Sequence, residues 1–243
     1  MLGSVIKTRK APQDEVVDGP DGVFGESIRA LRTSLGTIGD GPSPRTVLVT
    51  SSVPGEGKTT LSLSTGRHSA MSGLRTVVVD CDLRLPRVHE GLGVANGPGL
   101  IEFLRGAGLR EVIRVDEATG MHFISAGAWR RNAPELLRLP RMGELISMLQ
   151  TRYDLVLLDT PPLLPVSDAA VLAGLADAAV LVVGWRNARP ETARAAAERL
   201  RRTAGKAQIA AVFNNVDVHK VAGYGAVEVD VYRGRYGNYY AAA

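Results

Sequence analysis

The chain has very little cysteine and histidine. Cys81 is its single cysteine, so an intrachain disulfide is impossible and a reducing compartment is favoured. The four histidines are scattered along the 243 residues and have no metal-ligand spacing. A disulfide-stapled fold and a histidine-based metal site are therefore excluded.

Long apolar runs and clustered charge are lacking as well. Residues 1–10 contain no apolar segment of the kind found in a secretory signal. The longest apolar stretch, 169–183, is interrupted by Asp177 and is too short to span a bilayer. The net charge is only +4, without the sharp clustering that nucleic-acid-binding proteins usually show. We therefore expect a cytoplasmic protein that does not bind nucleic acid.

The chain does contain a regular alternation of short apolar runs and amphipathic stretches. The runs are rich in Val, Leu and Ile and do not alternate strictly, as in strands that helices cover on both faces. This pattern predicts an α/β fold with a doubly wound, mainly parallel sheet flanked by helices. The predicted strands cover residues 46–50, 76–79, 121–125, 155–158, 179–183 and 209–213. The predicted helices cover residues 25–36, 61–71, 134–153 and 190–204.

The two ends of the chain lack this pattern. Residues 1–23 are predicted to be a flexible N-terminal arm, because much of this segment is rich in Lys, Asp, Gly and Pro. Residues 24–216 would form the folded domain. Residues 217–243, rich in glycine, tyrosine and charged side chains, are predicted to be a mobile tail.

A glycine-containing loop follows the first predicted strand of the domain. It ends in Gly57-Lys58-Thr59 and an apolar helix follows, which is the context of a nucleotide-binding P-loop. Lys58 would reach the β- and γ-phosphates, and the Thr59 hydroxyl would bind Mg²⁺. Ser52 stands where the general pattern has its first glycine, and the alternative is an ordinary strand-to-helix turn. The predicted nucleotide contacts of the loop are Pro54, Gly55, Glu56, Gly57, Lys58, Thr59 and Thr60.

Carboxylates end two other predicted strands. Asp80 and Asp82 follow strand 76–79, and Asp159 follows strand 155–158. Ligands of open parallel sheets bind beyond the carboxyl ends of the strands, so these residues could converge with the P-loop on one Mg-triphosphate. The alternative is that each aspartate only caps the helix or turn that follows it.

Two further patterns lie near the ends of the chain. Glu26, Arg29 and Arg32 recur every three residues and would share one helix face, either as a contact surface or as an ordinary solvated face. Most of the tyrosines fall within the last twenty residues, although accidental enrichment is the alternative. These tail tyrosines are Tyr224, Tyr232, Tyr236, Tyr239 and Tyr240.

Together these motifs resemble those of the bacterial tyrosine kinases (BY-kinases), which are P-loop proteins of the deviant Walker type. The P-loop of that family usually carries serine at its first position, as Ser52 does here. The family's second motif is an apolar triplet followed by Asp-x-Asp-x-Arg, which residues 77–84 match, and its third is an apolar triplet followed by Asp-Thr/Ser-Pro-Pro, which residues 156–162 match. The resemblance covers residues 24–216 and the tail.

The resemblance implies an enzyme that uses ATP and Mg²⁺ to phosphorylate protein tyrosines, including the tail tyrosines. Lys58, Asp80, Asp82 and Asp159 would be catalytic, and Thr59, Asp82 and Asp159 would hold Mg²⁺. Asp80 is the candidate acceptor of the tyrosine proton, although Asp80 and Asp82 could exchange roles. A phenol has a pKa near 10 and an ordinary aspartate one near 4, so the proton would move late.

Other residues of the matching motifs receive less definite roles. Arg84 would orient the second motif or neutralise phosphate, or it would form a surface ion pair. Asn214 follows the last predicted strand, where proteins of this superfamily often contact adenine. In the family, the helix that carries Glu26, Arg29 and Arg32 packs between subunits and helps to build a ring.

The resemblance also implies partners. Members of the family control the synthesis and export of capsular or extracellular polysaccharide, and they usually need a membrane-spanning activator of the polysaccharide co-polymerase type. We therefore expect a cytoplasmic kinase that a partner recruits to the inner face of the plasma membrane, opposed by a cognate tyrosine phosphatase.

Two other functions fit parts of the sequence. A partitioning or septum-positioning ATPase would share the fold, but its signature lysine would stand at Val53, and the tail tyrosines would have no explanation. A non-catalytic scaffold of polysaccharide assembly would bind nucleotide without needing the three aspartates.

Overall fold

The computed structural model describes residues 1–8, 11–38, 41–128, 133–185 and 187–217. The strands are β1 Gly3–Ile6, β2 Thr46–Ser51, β3 Thr76–Asp80, β4 Ile113–Val115, β5 His122–Ile124, β6 Leu155–Asp159, β7 Ala178–Gly184 and β8 Gln208–Val216. The helices are α1 Pro12–Asp18, α2 Val23–Gly36, α3 Lys58–Met71, α4 Val88–Gly91, α5 Leu100–Leu104, α6 Leu109–Val112, α7 Ala133–Leu136, α8 Pro140–Gln150, α9 Asp168–Ala173 and α10 Pro190–Thr203. Within the described residues, no helix is both long and apolar enough to cross a membrane.

The strands form one sheet in the order β1-β8-β7-β2-β6-β3-β5-β4. Neighbouring strands are parallel except β4 and β5. Helices α1, α2 and α3 contribute to the apolar core on one face, and α5, α8, α9 and α10 contribute to the core on the other. The predicted doubly wound α/β fold is therefore confirmed.

The order of the central strands brings the motifs together. β6 lies between β2 and β3, and Asp80 at the end of β3 is the register partner of Asp159 at the end of β6. β2, which leads into the P-loop, pairs with the other side of β6. Because neighbouring strands lie about 4.8 Å apart, the three strand ends meet at one edge of the sheet.

The N-terminal residues differ from the prediction of a flexible arm over 1–23. β1 pairs with β8, and α1 packs near α3 with Val16 fully buried. Arg67 of α3 donates a hydrogen bond to Asp14 at 3.0 Å. A four-residue strand and a seven-residue helix are too short to produce a clear periodic pattern, which is why the sequence did not indicate them.

The helix predicted over 134–153 is two helices, α7 and α8. Leu139 is extended (φ −69°, ψ 145°) and directly precedes Pro140, the first residue of α8. A residue before proline avoids the helical region of backbone conformation, so the chain breaks at this point.

Candidate functional site

The P-loop connects β2 to α3 and depends on two glycines. Gly55 and Gly57 have φ values of +84° and +88°, which L side chains rarely adopt. A β-carbon on Gly57 would also lie 2.1 Å from Nδ2 of Asn214. Ser52 is not in this left-handed region, because Asn215 is the only non-glycine residue with positive φ in the described chain. The serine at the first position of the pattern therefore causes no backbone strain.

The Glu56 side chain points into the protein and holds the loop. Its Oε2 accepts hydrogen bonds from the backbone N–H groups of Ser52 (2.7 Å) and Val53 (3.0 Å), and its Oε1 accepts one from Gly184 (3.2 Å). The residue is only 3% exposed. The Glu56 carboxylate therefore supports the loop, and the predicted nucleotide contact of this residue stays a prediction. No pattern in the sequence indicates this direction of the side chain.

Asn214 reaches the loop from the end of β8. Its Nδ2 donates a hydrogen bond to the Glu56 carbonyl at 2.9 Å, so the side chain fixes the loop directly. Asn214 also lines a cavity of 210 Å³ beside Gly57, together with Asn187 and Asn215. The predicted contact with adenine stays a prediction.

Lys58 and Thr59 connect the P-loop to both acidic strand ends. Lys58 Nζ lies 3.0 Å from Asp82 Oδ2 and 3.4 Å from Thr59 Oγ1. Thr59 Oγ1 donates to Asp159 Oδ2 at 2.7 Å. Ser62, one helical turn later, donates to Asp159 Oδ1 at 3.2 Å. The structure thus brings the three predicted motifs together at one point. Ser62 belongs to the same cluster, although it lies beyond the P-loop pattern and was not predicted as a site residue.

Burial and mutual charge control protonation in this cluster. Burial acts to lower the pKa of Lys58, but the Asp159 and Asp82 carboxylates more than offset it, and the pKa is raised. Lys58 is therefore a cation at neutral pH. Burial raises the pKa of Asp159, and the Lys58 charge opposes this shift in part. Burial, followed by the Asp159 charge, raises the pKa of Asp80 well above its usual range.

Asp80 and Asp82 have different positions although they are two residues apart. Asp80 is fully buried, and its carboxylate accepts backbone hydrogen bonds from Asp82 (3.1 Å), Arg87 (3.2 Å) and Val88 (3.0 Å). Asp82 lines the open cleft beside the P-loop. Asp80 thus holds the loop after β3, and Asp82 is the one of the two that faces the cleft.

The cleft has a volume of 720 Å³ and continues beyond the P-loop. Its other walls come from the segments after β3 and β6. Arg84 at its rim forms a two-bonded ion pair with Asp168, Nε to Oδ2 at 2.8 Å and Nη2 to Oδ1 at 3.2 Å. Asp168 is 4% exposed, so Arg84 joins the two segments that form these walls. Of the roles predicted for Arg84, this pairing agrees with an ion pair and with orientation of the second motif.

The residues predicted to hold Mg²⁺ all offer oxygen atoms. Thr59 supplies a hydroxyl, and Asp82 and Asp159 supply carboxylates, which are the ligand types that this hard cation prefers. In the described part of the chain, no group of three or more His, Cys, Asp or Glu side chains is arranged to hold a metal alone. The set therefore suits an ion that takes its remaining ligands from phosphates and water.

The predicted oligomer surface lies on α2, and the predicted phosphorylation sites lie in the tail. Arg29 forms ion pairs with Glu26 at 2.6 Å and with Asp21 at 3.1 Å. Two of the charged groups on this helix face therefore already pair with each other within one chain. Arg32 lies on the same helix and is partly exposed. The tail tyrosines are outside the described residues.

Comparisons with known sequences identify clear relatives, although no family model matches the chain. The chain is 33% identical to EpsB of Ralstonia solanacearum over 239 residues, 98% of this chain and 29% of EpsB. It is 30% identical to the tyrosine-protein kinase YwqD of Bacillus subtilis over 207 residues, 85% of this chain and 87% of YwqD. It is 31% identical to the succinoglycan biosynthesis transport protein ExoP of Rhizobium meliloti, covering 93% of this chain and 29% of ExoP. The chain thus spans less than a third of EpsB and of ExoP.

Solved structures also include relatives of the chain. The kinase domain of the Escherichia coli tyrosine kinase ETK superposes with a TM-score of 0.79 and 33% identity, covering 84% of this chain and 80% of that domain. The septum site-determining protein MinD of Pyrococcus horikoshii, in complex with Mg-ADP, has a TM-score of 0.55 and 23% identity, covering 69% of this chain and 68% of MinD. The second similarity shows a shared fold alone.

Proposed function

The chain belongs to the bacterial tyrosine-protein kinase family, and from this membership we propose that it transfers the γ-phosphate of ATP to protein tyrosines, including those of its own tail. The observation that supports the proposal most strongly is the contact between Lys58 and Asp82, with Thr59 joined to Asp159 beside it. A phosphate lysine, a hydroxyl and two carboxylates are the groups that phosphoryl transfer needs around one nucleotide.

The P-loop would position the phosphates and stabilise their charge. Backbone N–H groups of 54–60 and the N-terminus of α3 would face the phosphate oxygens, and the Lys58 ammonium would compensate the charge that develops during transfer. Thr59, Asp82 and Asp159 would hold Mg²⁺, which when bound neutralises further phosphate charge. Glu56 and Asn214 would keep the loop in this shape.

Asp80 or Asp82 would accept the proton of the tyrosine hydroxyl. Asp82 is the better placed of the two, because it lines the cleft, whereas Asp80 is fully buried. The large difference between the pKa values of phenol and carboxyl means that the proton leaves late. Most of the rate enhancement would come from position and electrostatics.

We further propose that the tail of one copy is phosphorylated by another within a ring. The exposed part of α2, with Glu26, Arg29 and Arg32, would form the contact between copies. A ring would hold each tail near an active site at high local concentration. Phosphates would add negative charge to the tails, and their repulsion could loosen the ring.

The cellular role is proposed from the relatives. ExoP is named for succinoglycan biosynthesis and transport, which supports a role in polysaccharide synthesis or export. A membrane-bound co-polymerase would activate the kinase and bring it to the inner face of the plasma membrane, and a tyrosine phosphatase would reverse the reaction. A partitioning ATPase has only fold similarity in its favour.

The test is to incubate the full chain with Mg-ATP, with and without an activator segment, and to map phosphotyrosine by mass spectrometry. Tail phosphotyrosine that Lys58→Met abolishes is the expected result. Lys206→Met is a matched control, since Lys206 is exposed in the turn before β8, at the opposite edge of the sheet. ATP hydrolysis without phosphotyrosine would contradict the proposal and favour the partitioning type of ATPase.

A further inference from the structure

The cleft is larger and more apolar on one side than phosphate binding requires. Its lining from the segments after β3 and β6 includes the apolar residues Leu85, Pro161, Pro162, Pro165 and Val166. Phosphate oxygens gain nothing from such a surface, because it offers few hydrogen-bond donors. This side of the cleft therefore suits a different, apolar group that reaches the same point.

Leu85 is an exposed apolar side chain held close to the charged centre. It is 60% exposed, and its backbone N–H donates to Asp82 Oδ1 at 3.0 Å. The other oxygen of the same carboxylate contacts Lys58. One carboxylate thus fixes the distance between the phosphate lysine and the apolar wall.

A tyrosine acceptor has the matching chemistry. Its ring is apolar and its hydroxyl lies at the far end, so a ring packed on the exposed Leu85 can direct the hydroxyl toward Asp82 and Lys58. Serine and threonine have no ring to fill this wall. The wall is therefore a candidate subsite for the acceptor ring.

The rim of the cleft carries an arginine whose present partner is easily exchanged. Arg87 pairs with Glu90, and the two side chains are 52% and 51% exposed. Such an ion pair contributes little in water, so a carboxylate of a bound segment can replace Glu90. Arg84 differs, because it is bound to the buried Asp168.

One segment of the tail complements this rim. The residues before Tyr232 include Glu228 and Asp230, whereas those before Tyr236 include two arginines. An arginine at the rim would attract the first segment and repel the second.

The position of the tail permits this contact. β8 ends at Val216, and the sheet order places β8 four strands from β3 at the same edge, about 19 Å away. Fifteen residues lie between Val216 and Tyr232, and an extended chain of that length reaches about 50 Å.

We propose that Leu85 and the adjoining proline wall bind the ring of the acceptor tyrosine, and that Arg87 selects Tyr232 through Glu228 and Asp230. This inference rests on the proposed kinase function. The phenolic oxygen of Tyr232 bonds to the γ-phosphorus as the bond to the β-phosphate oxygen breaks, ADP leaves, and the phenolic proton passes to a carboxylate of the cleft.

The test measures the order of tail phosphorylation in the full chain with Mg-ATP. Early phosphopeptide maps give the ratio of phosphate on Tyr232 to that on Tyr236, which does not depend on overall activity. We expect Tyr232 to lead, Arg87→Gln to lower the ratio about threefold, and 0.5 M NaCl to lower it similarly. Arg152→Gln is the control, because Arg152 is exposed before β6 at the opposite sheet edge.

Two further variants make the test specific. Glu228→Gln with Asp230→Asn should lower the ratio as Arg87→Gln does, and combining all three changes should lower it no further. Leu85→Asn should slow phosphorylation of every tail tyrosine while ADP affinity stays the same. A ratio that Arg87→Gln leaves unchanged, or a lead of Tyr236, would overturn the selection by Arg87. Absence of phosphotyrosine from every variant and from the parent chain would overturn the proposed kinase function as well.

Discussion

Lys58 Nζ lies 3.0 Å from Asp82 Oδ2, and the two residues follow β2 and β3, strands that are not neighbours in the sheet. β6 separates these two strands, and its terminal Asp159 accepts a hydrogen bond from Thr59, the residue after Lys58. If Lys58 binds a nucleotide phosphate as proposed, the phosphate and Asp82 would compete for the same ammonium group.

Asp82→Asn should strengthen nucleotide binding in the absence of Mg²⁺ while it impairs phosphoryl transfer. The amide no longer holds the Lys58 charge, so Mg-free ADP should bind about three- to tenfold more tightly. Titration of a fluorescent ADP analogue in EDTA gives the affinity, and phosphotyrosine formation gives the transfer. Weaker Mg-free binding by this variant would show that Asp82 supports the phosphate site instead of competing with it.

Glu56→Ala should loosen the P-loop without removing any group that faces the cleft. The variant leaves the backbone N–H groups of Ser52 and Val53 without their acceptor, which costs about 1–3 kcal/mol. We expect a lower free energy of unfolding in urea and weaker ADP binding. Glu117→Ala is the control, since Glu117 is exposed in a distant turn. Unchanged ADP affinity would contradict a supporting role for Glu56.

Asp80→Asn should have an effect on stability that changes with pH. Burial raises the pKa of Asp80, so the folded chain binds a proton there more tightly than the unfolded chain does. In the parent chain, the stability due to this group is therefore lost as pH rises above 3.8, the ordinary value, toward the folded pKa. The side-chain amide of the variant does not ionise, so the variant does not lose this stability as pH rises.

Urea unfolding at several pH values between 4 and 8 checks this prediction. The variant should be less stable than the parent at pH 4, because the carboxyl group accepts three backbone hydrogen bonds, and the difference should shrink as pH rises. A difference that grows with pH would mean that the Asp80 carboxylate is stabilised as an anion in the fold.

The N-terminal elements show where sequence patterns stop being informative. The central strands and their terminal aspartates could be predicted, because a buried run followed by a carboxylate is a strong local signal. β1 and α1 could not, since their stability comes from pairing with β8 and from contacts with α3, which lie far away in sequence. The directions of Glu56 and Asp80 also depend on contacts that no spacing reveals.

Val16→Ala tests whether the N-terminal helix is part of the folded domain. Val16 is fully buried against α3, so the variant should lower the free energy of unfolding by about 2 kcal/mol. Val115→Ala is the matched control, because Val115 is 51% exposed. If the two variants were equally stable, α1 would not contribute to the fold, in agreement with the predicted flexible arm.

The proposed ring predicts a change of oligomeric state for substitutions on α2. Replacement of Glu26, Arg29 and Arg32 by alanine should give monomers with slower tail phosphorylation. A control of the same composition replaces Glu191, Arg194 and Arg201, which are exposed on α10. Size-exclusion chromatography with light scattering measures the mass, and an unchanged oligomer in the α2 variant would count against the ring.

The decisive measurement is a crystal structure of the chain with Mg²⁺ and a non-hydrolysable ATP analogue. We expect Lys58 to move from Asp82 to the β- and γ-phosphates, and Thr59, Asp82 and Asp159 to surround the metal, directly or through water. A nucleotide bound elsewhere, or one that leaves Lys58 on Asp82 with both carboxylates away from the metal, would contradict this expectation.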